Sequence, residues 1–167
     1  MTSDEYNQCV DDFSDAIFRF ALKHLRNSDD ANEIVQLTFE KCWMKHQEIN
    51  IAKAKSYLFS AAYHAIIDDW RKKKPTTDID SLPVSLHPSE FQSNLDFKMK
   101  QALEKALSEL SPVLKTVILL RDYEGYSYTE IGNVTNLNES QVKVYIFRAR
   151  KFLKDRLTPY YLNQHEA

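Results

Sequence analysis

Only two glycines occur in 167 residues, and no run alternates apolar and polar residues with period two. A sheet needs that alternation on its strands, so β structure is excluded as the organising element. Apolar residues recur instead at steps of three and four, the spacing of one face of an α-helix. The expected fold class is therefore all-α, as two small helical bundles joined by a flexible linker.

Residues 4–26 read as an amphipathic helix with Val10, Phe13, Ile17, Phe20, Ala21 and Leu25 on one face. Asn27-Ser28-Asp29-Asp30 interrupts it and places acids in a new first turn, where the helix dipole favours them. The second helix, about 30–47, is apolar on too many sides for one neighbour: Ile34, Val35, Leu37, Phe39, Cys42, Trp43 and Met44 spread around it. Either it is central in a bundle or one flank is a partner site. A third helix, about 53–74, ends in Arg71-Lys72-Lys73-Lys74, and Pro75 stops it.

Residues 75–95 hold three prolines and no Lys or Arg, which reads as a linker. A helix follows at about 96–109, and Ser111-Pro112 opens another to about 123. The expected organisation is a bundle over 1–74, a linker over 75–95 and a second bundle over 96–167.

The second bundle ends in two short helices joined by a tight turn, residues 126–153. Ser127 with Glu130 forms a capping box, and Asn138 with Gln141 gives a second cap signal. Between them Asn136 suits the left-handed turn position. On the second of these helices Val142, Ile146, Ala149 and Leu153 form one stripe, while Ser140, Lys143, Val144, Phe147, Arg148 and Lys151 form the other. From Gln141 to Leu157 there are six bases against one acid, in a chain of net charge −2. Positive charge concentrated on one exposed helix suits phosphate contact by an element lying in a major groove. Phe147, an aromatic inside that basic face, suits cover by a thymine methyl or a sugar.

Several function classes find no residues to carry them. There is no Gly-rich phosphate loop, HExxH or nucleophile elbow, and Asp11-Asp12 and Asp68-Asp69 point to different helix faces. No catalytic residue, cofactor, metal or small-molecule substrate is expected. Cys42 and His46 are four apart but lack a third ligand, and Cys42 reads as a small core residue. With no signal peptide and no membrane-length apolar stretch, a cytoplasmic protein is expected.

Three blocks in order, DANEIVQLTFEKCW, KSYLFSAAYHAIIDDWRKKK and LSELSPVLKTVILLRDYEGYSYTEIGNVTNLNESQVKVYIFRARKFLK, resemble the group IV, or extracytoplasmic-function (ECF), sigma factors of the sigma-70 family. The resemblance runs from about Tyr6 to Leu157. It implies a bacterial, non-enzymatic factor that binds core RNA polymerase, recognises promoter −10 and −35 elements and helps open the duplex. The implied partners are the clamp of the largest polymerase subunit, the second-largest subunit, promoter DNA and an anti-sigma factor.

By position in those blocks, Glu33, Val35, Gln36, Phe39 and Trp43 match the part that docks on polymerase, with Ile34 and Leu37 assigned to the bundle interior. Lys55, Tyr57, His64, Arg71 and Lys72 match the element that reads and melts the −10 region. Tyr57, Phe59, Tyr63 and Trp70 offer rings for stacking on a separated strand, and several of the four must serve the core of the small bundle instead. The loop at about Asn50 to Ala54 resembles the family's specificity loop. Ser140, Gln141, Lys143, Val144, Phe147, Arg148 and Lys151 fall on the −35-contacting helix. His64, Val144 and Tyr145 depart from the family's usual Asn, Ser and Arg, so the promoter sequence does not transfer. The residues alone leave one alternative, a stand-alone helix-turn-helix transcriptional regulator, which would read paired half-sites as a dimer.

Overall fold

The computed structural model describes residues 1–73 and 94–165, and every regular element among them is helical. Helix α1, Ser3–Leu25, starts at a capping box that the sequence reading missed. The Thr2 hydroxyl accepts from the Glu5 amide at 3.2 Å, and the Glu5 carboxylate accepts from the Thr2 amide at 2.7 Å. The helix ends where Arg26 turns left-handed, at φ 57°. Asn27 then caps α2, Ser28–Met44, by accepting from the amides of Asp29 and Asp30. Asn50 accepts from the Ala52 amide and starts one 3₁₀ turn, Ile51–Lys53, that runs into α3, Ala54–Lys73. The expected specificity loop is thus largely a helical turn.

These three helices pack around Ile17, Phe20, Ala31, Cys42, Leu58, Phe59 and Ala62, all at most 2% exposed. Each large apolar side chain fully buried there contributes about 1.5–3 kcal/mol. Phe59, one of the four aromatic rings, serves the core: it meets Phe20 edge-on at 5.7 Å. Leu37, assigned to the interior by sequence, is 38% exposed on the outer flank of α2. One turn from Ile34, it rotates past the line that α1 and α3 cover.

The second half comprises α4 (Asn94–Glu109), α5 (Pro112–Ile118), α6 (Tyr128–Thr135) and α7 (Glu139–His165). Between α5 and α6 the helix widens into a π turn, Leu119–Tyr123, where the Glu124 amide reaches back five residues to the Leu119 carbonyl. Gly125, at φ 72°, then reverses the chain. Helix α7 continues past the expected end and contains Pro159. Residues 75–93 of the expected linker lie outside the described residues; its last two, 94 and 95, open α4.

The two halves touch. Phe59 of α3 meets Tyr126 edge-on at 5.1 Å, and buried residues of both halves form one continuous apolar cluster. Around that contact, Thr116 Oγ1 and His24 Nε2 lie 3.1 Å apart, and Arg19–Glu124 and Arg26–Glu104 pair across the seam at 3.7 and 3.8 Å. The relative placement that the sequence left open is a closed one.

Candidate nucleic-acid interface

The helix-turn-helix forms as its caps predict. The Ser127 hydroxyl accepts from the Glu130 amide at 3.1 Å while Glu130 accepts from the Ser127 amide at 2.8 Å. Asn136 closes α6 in the left-handed conformation (φ 59°, ψ 37°). Asn138 and Gln141 then bond reciprocally, at 2.8 and 3.0 Å, to start α7. The turn is tight because of Gly132: a β-carbon there would sit 2.6 Å from the Leu137 carbonyl oxygen.

Val142, Ile146 and Ala149 are at most 2% exposed, so the inward stripe of α7 is the expected one. Ser140, Gln141, Lys143, Val144, Phe147, Arg148 and Lys151 are all exposed. They share one face, with Phe147, 69% exposed, between the cations. Not every base of this region belongs to it. Arg150 holds both oxygens of Asp122, at 2.6 and 3.2 Å, and Arg156 pairs with Glu109 at 3.3 Å. Those two fasten α7 to its own bundle. Among the described residues Lys143 pairs only along its helix, with Glu139 at 3.3 Å, and lies 5.5 Å from the Tyr128 ring centroid. Tyr128, which also carries the Arg121 guanidinium at 4.5 Å, supports the face from beneath. Nothing in the periodicity of α6 singles it out. Chemically, the face offers ammonium and guanidinium groups to phosphates and apolar surface to sugars or thymine methyls.

The residues expected on the −10 element do not gather at one point. From Lys55 to Arg71 the helix rises about 24 Å. Lys55 is engaged by the other half, 3.6 Å from Glu130 and 3.7 Å from the Tyr126 ring centroid. Tyr57 is half-buried, its hydroxyl 3.5 Å from the Lys41 carbonyl. His64 is exposed, but its Nδ1 turns back to the Ser60 carbonyl at 2.7 Å, which leaves Nε2 as the outward atom. Arg71 and Lys72 are exposed at the far end of α3.

On α2, Glu33, Gln36 and Trp43 are exposed on one flank, joined by Leu37 and Met44. Trp43 stacks on His46 at 4.3 Å and meets Tyr6 edge-on at 4.9 Å, so its indole is presented in a set orientation. Val35 is half-buried. Phe39 is 7% exposed, with its carbonyl accepting the Tyr6 hydroxyl at 3.0 Å, so it backs this flank rather than lining it. Among the described residues no cluster of three or more His, Cys, Asp or Glu is arranged to hold a metal, and no helix is long and apolar enough to cross a membrane.

Residues 9–76 match the family model described as sigma-70 region 2, and residues 100–153 match that of sigma-70, region 4. The RNA polymerase sigma factor SigV of Bacillus subtilis (strain 168) is 31% identical over 153 residues, covering 90% of this chain and 89% of SigV. The ECF RNA polymerase sigma factor SigM of the same organism is 31% identical over 156 residues, covering 92% and 94%. Among solved structures, the sigma factor RpoE in complex with the anti-sigma factor NepR, from Bartonella quintana, superposes with a TM-score of 0.76 at 26% identity, over 93% of this chain and 98% of that one. CnrH in complex with the cytosolic domain of CnrY shares the fold, with a TM-score of 0.69 at 21% identity over 92% and 88%. Helix-turn-helix geometry, the two family matches and similarity along nearly the whole length converge: the chain belongs to the extracytoplasmic-function sigma factors of the sigma-70 family.

Proposed function

We propose that this RNA polymerase sigma factor grips a promoter at two points while docked on core polymerase. The single observation that carries the −35 half is the outer face of α7, where Phe147 is 69% exposed among Lys143, Arg148 and Lys151, with none of the four in the core. Ser140, Gln141 and Val144 complete the face that would read base edges. Residues 96–167 form the −35 unit and 1–74 the polymerase-binding and −10 unit, with 75–95 linking them.

In the first unit Glu33, Gln36 and Trp43 are the polymerase contacts, with Val35 and Phe39 as their backing. Lys55, Tyr57, His64, Arg71 and Lys72 face the melted strand once the halves separate. Lys55 is the residue whose role most depends on that separation, because Glu130 and Tyr126 hold it in the closed form. The protein acts by binding and positioning rather than by catalysing a reaction itself, and works in the bacterial cytoplasm. Its partners are the clamp of the largest polymerase subunit, the second-largest subunit, promoter DNA and an anti-sigma factor. An anti-sigma partner is supported by RpoE, whose solved complex with NepR resembles this chain over both halves.

In vitro transcription tests the reading. Core polymerase plus this protein should initiate at discrete genomic promoters where core alone does not. No gain at any promoter from an inhibitor-free preparation would overturn it.

A further inference from the structure

Beside the seam between the halves is a cleft of about 180 Å³, walled by α1, α3 and the α4–α5 corner. A water occupies roughly 30 Å³ of liquid, so several waters or a small solute fit. Of the charged and titratable groups, His24 of α1, Asp69 and Lys73 of α3 and Lys115 of α5 line it. Lys23 of α1 and Arg26 at its C-terminal cap are the cations nearest Lys115, and Glu104 of α4 pairs with Arg26. Most are matched: Lys73 pairs with Asp69 at 3.0 Å and Asp30 at 3.6 Å, and Arg26 with Glu104 at 3.8 Å. Lys23 lies 4.5 Å from the centroid of the Tyr123 ring.

Lys115 is the exception. It lines the cleft, is only 5% exposed, and has no carboxylate within ion-pair distance among the described residues. Burial, then the neighbouring Arg26 and Lys23, push its ammonium down to about 8. The same crowding acts on His24, which stays neutral and is turned to Thr116. A lysine this enclosed, whose ammonium meets the cleft with cations nearby and no carboxylate partner among the described residues, is costly, and the cost is relieved either by losing the proton or by gaining an anion.

We propose that this cleft binds a small oxyanion, with the Lys115 ammonium as its counter-charge and His24 and Trp70 as walls. Phosphate and carboxylate share the required chemistry. Because the walls come from both halves, the occupied site exists only in the closed arrangement, and the ligand therefore stabilises that arrangement. Binding of the anion does not depend on promoter recognition, so the two readings fail separately.

The test uses the full chain and compares wild type with Lys115→Met, which keeps much of the side-chain volume and removes the charge. Melting temperatures are measured in inorganic phosphate, in acetate and in chloride, all at one ionic strength. Phosphate also stabilises proteins by exclusion from their surfaces, and that contribution is common to both chains. The expected result at saturating anion is a Tm rise in wild type about 3 °C beyond that of the variant. An excess with both anions, with phosphate alone or with acetate alone supports the site and identifies which source it takes. Equal shifts in the two chains overturn it. Should Lys115→Met not fold, side-chain NMR of wild-type Lys115 decides: added anion should raise its titration midpoint, and an unmoved midpoint overturns the proposal.

Discussion

The Lys55 ammonium of α3 lies 3.6 Å from the Glu130 carboxylate of α6, so the cation expected to reach promoter DNA is neutralised by the helix-turn-helix of its own chain. Glu130 serves two masters: the Ser127 amide first, and Lys55 after it, hold its carboxyl below the usual carboxylate range. Glu130→Gln separates the roles, because a glutamine still completes a capping box. The bridge is partly exposed and worth at most about 1 kcal/mol. Isolated Glu130→Gln protein should therefore bind single-stranded DNA more tightly, by no more than about fivefold. Fluorescence anisotropy with a labelled oligonucleotide measures this, and an unchanged affinity would show that the bridge does not mask Lys55.

Gly132→Ala should be disproportionately damaging for so small a change. Its β-carbon would meet the Leu137 carbonyl oxygen at 2.6 Å, and backbone cannot swing away as a flexible side chain does. Overpacking of this kind costs typically 1–3 kcal/mol. Urea denaturation should show that loss, and duplex binding should fall with it. A variant as stable as wild type would mean the turn has slack that the geometry does not reveal.

His24 gives the protein an acid-sensitive seam. Burial, with help from Lys115, lowers its imidazole from 6.5 to about 3. Between those values the unfolded chain takes up a proton that the folded chain refuses, so stability falls as pH drops below about 6.5. The slope approaches about 1.4 kcal/mol per pH unit for one proton. His24→Gln retains a hydrogen-bonding group for Thr116 and removes the titration. The stability of wild type relative to this variant should then decline by up to about 2 kcal/mol from pH 6.5 to 5. Parallel curves for the two proteins would place the acid sensitivity elsewhere, among the carboxylates.

For the proposed recognition face, Lys143→Ala and Arg148→Ala should leave the fold within about 0.5 kcal/mol, since both side chains are exposed. Each phosphate contact removed should flatten the log–log salt dependence of promoter binding by about 0.9. Filter binding of holoenzyme across a salt series gives that slope. If both variants keep the wild-type slope, α7 meets DNA through some other face.

Trp43 tests the proposed polymerase contact. It is 44% exposed and held between Tyr6 and His46. Aromatic anchors of this kind cost 2 kcal/mol or more when truncated, about 30-fold in affinity. Trp43→Ala should compete correspondingly poorly for core polymerase while retaining helical circular dichroism. Full competition by the variant would move the docking surface off this flank.

Elements were more legible in the sequence than their assembly. The caps at Ser127 and Asn138, the left-handed Asn136 and the inward stripe of α7 each depend on relations between residues no more than four apart, and the caps, the turn and the buried Val142, Ile146 and Ala149 form as read. Leu37 was misplaced, and Phe59 left undivided between stacking and core, because helical periodicity says which residues share a face, not what covers it. Phe59 is covered by Phe20 of its own bundle and Tyr126 of the other, a contact between residues far apart in the chain. Lys115 was not singled out by the sequence for the same reason: its burial comes from helix packing against α1 and α3, not from its neighbours in sequence. Arg150 and Arg156 were counted among the six bases of residues 141–157, and their acidic partners, Asp122 and Glu109, lie outside that stretch.

The edge-on contact between Phe59 and Tyr126 also imposes an order of events. Promoter elements centred near −35 and −10 are separated by roughly 25 base pairs, about 85 Å of straight duplex at 3.4 Å per pair. Two halves whose rings sit 5.1 Å apart cannot straddle that distance. On the proposed reading the rings must part before both elements are engaged, and docking on polymerase supplies the free energy. A chain diffusing alone then ignores stray −10-like sequences, and the cell's pool of this protein is set aside for polymerase rather than lost along the chromosome.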